Sequence, residues 1–176
     1  MKVVIAYSGY LPMGDMAVGL RVGELLDAEL RKLNYSNVEL LDVSTDVLTA
    51  VDLINERRPD VLILVGAKRR GRAKGTIEVI RPDLEPIRDS IEANDLLRPS
   101  LDGRVCITDV LNGLRVLGTT AKEVILIECE PPHDEPYIGL SNEGEKCAVN
   151  IANIILNEIL PKVIYKGNQS SESKYK

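Results

Sequence analysis

The sequence predicts a single three-layer α/β domain, with a mostly parallel, twisted sheet of about five strands flanked by helices. Three observations carry this. Four runs, Val3–Tyr7, Val38–Leu41, Val61–Val65 and Glu123–Cys129, are short and rich in β-branched and aliphatic residues, as strands are. Several are continuously apolar, the pattern of strands covered on both faces. Segments of helical period lie between them, and strand alternating with helix is the order that parallel crossover connections produce. A fifth run, Thr76–Ile80, alternates apolar with polar and reads as a strand near an edge.

The helices follow in order. Asp15–Leu33 places Val18, Val22, Leu25, Leu26 and Leu33 on one face. Gly19 and Gly23 sit four apart on it, each costing ~1 kcal/mol against alanine. Their expected use is close approach of the helix to the sheet. Thr45–Arg57 carries Leu48, Val51, Leu53 and Ile54, with Pro59 just beyond its end. Gly103–Leu117 carries Val110, Leu111, Leu114 and Leu117 and stops at Gly118. The last long helix begins near Ser141–Asn142, where Asn142 and Glu145 have capping-box spacing, and it is expected to stop at Pro161. Pro82–Pro99 reads as a charged, irregular excursion. Residues 1–166 form the expected domain, and the polar tail 167–176 is expected to be disordered.

Composition narrows the function. A chain of 176 residues can build a core without disulfides or metals. Its net charge of −5 supplies no field toward nucleic acid or an anionic membrane. There is no Phe or Trp, and six scattered Tyr offer no base-stacking platform, so no nucleic-acid partner is expected. Cys106, Cys129 and Cys147 lie far apart, without a Cys or His pairing, and read as small apolar core residues. An odd cysteine count fits a reducing cytoplasm. The N-terminal apolar run of about six residues is too short for a signal core or a membrane span. The expected location is therefore cytoplasmic, with no membrane partner.

The candidate sites follow from this architecture. The turn Gly9–Gly14 and the next residue, Asp15, put backbone N–H groups and a carboxylate at the carboxyl end of the first strand, where open α/β sheets bind ligands. Asp15 is either a helix cap, worth about 0.3–1 kcal/mol, or a group facing a crevice. Asp42, ending the second strand, and Gly66, ending the third, reach the same crevice. The loop Gly66–Lys74 holds five basic residues in seven: Lys68, Arg69, Arg70, Arg72 and Lys74. Its glycines have P-loop spacing, but Arg72 and Ala73 replace the required Lys and Ser/Thr, and a strand follows instead of a helix. It is either a solvated loop or a docking surface for an acidic partner or a phosphate-bearing ligand. His133 is the sole histidine and reads as a surface-loop residue. No G-x-S-x-G elbow is present.

The motif Gly9–Tyr10–Leu11–Pro12, then Asp15–Met16 and Gly19–Leu20–Arg21, resembles the opening of the hydrogenase maturation endopeptidases, with Tyr10 in place of the motif's Asn. The likeness continues at Leu40–Asp42, Asp60–Val65, Gly75–Thr76, Thr108–Leu111 with Leu114–Arg115, and Glu135–Ser141. It spans residues 2 to about 160. The resemblance implies an α/β fold, removal of a C-terminal extension from the large subunit of nickel–iron hydrogenases, and recognition of nickel through three side chains. Those three positions fall on Met16, on Gly66 and close to Gly103. None supplies a carboxylate or an imidazole. The leading expectation is therefore a non-proteolytic paralogue with no cofactor of its own. It would bind a protein tail or small ligand, with a hydrogenase large subunit as the candidate partner, in a crevice of Gly9, Tyr10, Gly14, Asp15, Met16, Gly66 and Gly103. One alternative is an active endopeptidase whose relocated site uses Asp15, Asp42, Glu78 and Asp109. A second is a nucleotide or small-molecule binder that uses the basic loop.

Overall fold

The structure, a computed structural model, describes residues 1–33, 35–98, 100 and 105–172, with side chains described through residue 166. Among the described residues five strands form one sheet: β1 (Val3–Tyr7), β2 (Val38–Asp42), β3 (Val61–Ala67), β4 (Ile77–Ile80) and β5 (Glu123–Cys129). Their spatial order is β2-β1-β3-β5-β4. All pairings are parallel except that of β4, which runs antiparallel to β5 at one edge. The fifth strand thus lies at an edge, as expected.

Because alternate strand residues face opposite ways, one sheet builds two cores. Val3, Ile5, Val61, Ile63 and Val65 pack toward α1 (Val18–Leu33) and α5 (Asn142–Ile154). Val4, Ala6, Leu62 and Leu64 pack toward α2 (Val47–Arg57) and α4 (Ile107–Leu117). Both faces are covered, which is why these strands are apolar throughout. Gly19 brings α1 against the sheet end: a Cβ there would lie 2.0 Å from the Ser8 carbonyl oxygen. At Gly23 a Cβ would lie 2.5 Å from the Tyr7 ring. The close approach expected of this glycine pair is present.

Several expectations need correction. The chain enters α1 through a 3-10 turn at Gly14–Ala17, so the α-helix itself starts at Val18. The stretch expected to be irregular contains α3 (Ser90–Leu97), with Asp89 accepting from the N–H groups of Ile91 and Glu92. No residue of α3 is buried, so it lacks the apolar stripe that makes a helix visible in sequence. Helix α4 starts at Ile107 with Cys106 as its N-cap, which puts Cys106 outside the helix. Gly103 lies outside the described residues. The N-cap of α5 is Ser141, not Asn142; its hydroxyl accepts from Gly144 N–H at 3.0 Å.

The last helix does not stop at Pro161. A π-helical turn (Ile155–Ile159) leads into α6 (Leu160–Glu172), which extends into the polar tail. Pro161, which has no N–H to donate, falls where the π turn passes into α6. The stretch Asn142–Lys166 is long and apolar enough, by length and composition, to cross a membrane. Here Ala148, Ile151, Ile155 and Leu160 are spent on the core.

Candidate functional site

Loops from three elements meet at the carboxyl end of the sheet. The loop after β1 is tied to β3 by the Ser8 N–H, which donates to the Val65 carbonyl at 3.0 Å. Gly9 N–H donates to Ser44 Oγ at 3.1 Å. The segment before α5 lies across this loop. Gly14 N–H donates to the Tyr137 carbonyl at 2.9 Å, Tyr137 N–H to the Pro12 carbonyl at 3.1 Å, and Asp15 N–H to the His133 carbonyl at 2.8 Å.

Asp15 sits at the centre of this joint and is fully buried. One carboxylate oxygen accepts from Ser141 N–H at 2.8 Å, and the other from His133 N–H at 2.9 Å and Ser141 Oγ at 2.7 Å. Ser141 in turn caps α5, so the carboxylate lies at that helix's N-terminus, where the dipole favours negative charge. Asp15 therefore clasps two loops together, and both of its carboxylate oxygens are already engaged. His133 keeps its side chain exposed, as expected.

Met16 is half-buried and packs against the α1–α5 core. Gly66 is buried under α4: a Cβ there would lie 2.8 Å from Ile107 Cβ. Asp42, exposed at the end of β2, accepts from Ser44 N–H at 2.8 Å. Burial first and the Asp42 charge second raise the Tyr7 hydroxyl above its ordinary value. Asp109 accepts from Cys106 N–H at 2.8 Å and closes the first turn of α4. Burial, followed by the Asp109 contact, pushes the Cys106 thiol up, with Lys68 Nζ 3.4 Å from its sulfur. Glu78 pairs with Arg72. Among the described residues, no group of three His, Cys, Asp or Glu is placed to hold a metal ion. Met16, packed on the core, and Gly66, with Ile107 packed against it, supply no carboxylate or imidazole at two of the three positions that the resemblance implies for nickel.

The basic loop is folded onto carboxylates that the sequence reading did not single out. Arg70 grips the fully buried Glu128 through Nε at 2.6 Å and an Nη at 2.7 Å. Thr108 Oγ1 donates to the same carboxylate at 2.6 Å. Glu130 accepts from the N–H groups of Arg70 and Gly71 and from Arg72 Nε at 3.2 Å. Burial opposes ionisation of both glutamates, but these hydrogen bonds, joined at Glu128 by the guanidinium charges, outweigh it and hold both below the ordinary value. Arg69 pairs with Asp134. Arg69, Arg70 and Arg72 are thus committed within the chain, and Lys74 stays exposed. A signal did exist: an acid at position 128 interrupts the apolar run Val124–Cys129, and a buried acid calls for a cation.

At the mouth, Tyr10, Leu11, Tyr137 and Ile138 are exposed, Ile138 at 83%. They sit on the two loops that Asp15 joins, beside the backbone pairing of Met13 with Tyr137.

No protein-family model matches the sequence, and no curated protein matches it. Solved structures do. An endopeptidase from Escherichia coli, solved in solution, superposes at a TM-score of 0.65 with 25% identity, covering 89% of this chain and 90% of that one. The hydrogenase maturating endopeptidase HybD from E. coli gives 0.63 with 24% identity over the same shares. The [NiFe] hydrogenase maturation protease HycI from Thermococcus kodakarensis gives 0.57 with 20% identity, covering 90% of this chain and 92% of that one. The fold implied by the opening motif is the fold found: this chain is built as the hydrogenase maturation proteases are.

Proposed function

We propose that this chain is a non-proteolytic counterpart of the hydrogenase maturation proteases, acting in the cytoplasm to bind a protein tail during assembly of a hydrogenase or related metalloenzyme. The observation that carries the reading is the packing of Ile107 against Gly66, which occupies the space a metal-binding carboxylate at the end of β3 would need. Met16 supports it, since its thioether packs on the α1–α5 core. The binding half of the reading rests on the mouth, where Tyr10, Leu11, Tyr137 and Ile138 form an exposed apolar rim of the kind protein partners cover.

The test is incubation with an unprocessed hydrogenase large subunit that carries nickel. The expected outcome is a complex that survives gel filtration with the C-terminal extension intact. Removal of the extension by this chain would overturn the proposal. A Tyr137→Ala, Ile138→Ser variant, altered only at exposed rim positions, is expected to lose the complex.

A further inference from the structure

We infer that the open edge of β4, together with the groove beside it, is a docking site for an extended, carboxylate-bearing segment of a partner protein, which adds to the sheet as a sixth strand. The groove is separate from the crevice, none of whose described residues line it.

Two features coincide there. First, β4 ends the sheet. Glu130 N–H donates to the Thr76 carbonyl at 2.8 Å, and Thr76 precedes the register pair Ile77–Cys129. In an antiparallel pair, backbone groups alternate between facing the neighbour and facing away. Glu78 and Ile80 therefore face β5 with Thr76, and the N–H and C=O groups of Ile77 and Val79 point to the open edge. Second, on the helix side of that edge lies a groove of about 490 Å³, with an apolar floor of Val79, Ile125, Ile154, Ile159 and Val163. The π-helical turn supplies Ile159, and such turns recur at binding sites. Val79 is 45% exposed and belongs to both features.

Backbone pairing plus an apolar groove on one face is what an added strand needs: the main chain pairs with the edge, and every second side chain enters the groove. The rim selects the chemistry. Arg81 and Lys162, both exposed, line it against the single carboxylate of Glu158 among the lining residues. In a chain of net charge −5 this local excess of cations runs against the sign of the molecule. The Arg81–Glu123 pair, at 3.2 Å with Arg81 65% exposed, is weak enough to exchange for an incoming carboxylate. The occupant is thus an extended segment with apolar residues at alternate positions and acidic residues between them.

The test uses a short fluorescent peptide alternating isoleucine with aspartate and glutamate, titrated into the intact chain by anisotropy. A peptide of the same composition with the alternation scrambled serves as control. Val79→Pro removes one outward N–H and leaves the β5 ladder intact, which edge strands tolerate. It should weaken binding about threefold to tenfold, the worth of one hydrogen bond. Lys162→Glu, on an exposed helix position, should weaken it as well and reduce its sensitivity to salt. On peptide addition, amide exchange should slow at Ile77 and Val79. Equal binding of the scrambled peptide, no saturable binding, or indifference to both variants would overturn the inference. So would a concentration-dependent dimer abolished by Val79→Pro, which would assign the edge to a second copy of the chain.

Discussion

Replacing Asp15 tests whether this carboxylate is a clasp or a reacting group. In Asp15→Ala three donors lose their acceptor: His133 N–H, Ser141 N–H and Ser141 Oγ, held at 2.9, 2.8 and 2.7 Å. The hydroxyl can turn to another partner. The two amides cannot, because the Tyr137–Pro12 and Gly14–Tyr137 backbone bonds fix their loops. Stranding a buried donor costs about 1–3 kcal/mol, and the bonds lost are to a charged group. The expected loss is therefore about 3–5 kcal/mol, a large share of the 5–15 typical of a domain. For a chain of this length that is roughly 6–20 °C in Tm. Asp15→Asn recovers little, since its amide nitrogen must face a donor whichever way it is turned. The assay is equilibrium urea denaturation, read as a lower midpoint at unchanged slope. A general base or metal ligand behaves the other way: its removal abolishes chemistry and leaves stability nearly untouched. An Asp15→Ala midpoint within about 1 kcal/mol of the parent would refute the clasp.

Three further outcomes follow. Glu128 and Glu130 are held below the ordinary glutamate value of 4.5, so the stability they contribute is complete above that value. It is lost as pH falls through their lower folded values. Urea midpoints should therefore decline on acidification below about pH 4.5, and Glu128→Gln should flatten that decline. Arg70→Met leaves the buried Glu128 without its two-pronged partner and should cost about 3 kcal/mol in the same assay, most of it recovered by a second change, Glu128→Met. Gly66→Asp should destabilise by about 1–3 kcal/mol through overpacking against Ile107, and Ile107→Ala should relieve it; an undiminished midpoint in the single variant would refute the packing.

Features set by local period were legible in the sequence. Val3–Tyr7 and Glu123–Cys129 are strands at the expected bounds, and the Gly19–Gly23 pair does bring α1 onto the sheet. Features decided by tertiary context were not. Helix α3 buries nothing, so its residues carry no stripe, and its Asp89 cap could not be told from ordinary loop polarity. Pro161 looked like a stop because nothing local announces a π turn. The site shows the same division. The position of Asp15 at the crevice mouth follows from strand, turn and helix order, but its partners Ser141 and His133 lie more than a hundred residues away. The basic loop was visible, yet that Arg70 and Arg72 turn inward depends on Glu128 of β5 and on Glu130 just after it. Ile107 over Gly66 is a contact between α4 and β3 that no spacing rule contains.

The proposed reading is that this chain keeps the maturation-protease fold without a seat for the metal. Calorimetric titration of the purified chain with Ni²⁺, Zn²⁺ and Cd²⁺ tests it most directly. No saturable one-to-one heat is expected for any of the three. A stoichiometric isotherm that disappears in Asp15→Ala or Asp109→Ala, with the variants still folded, would contradict it.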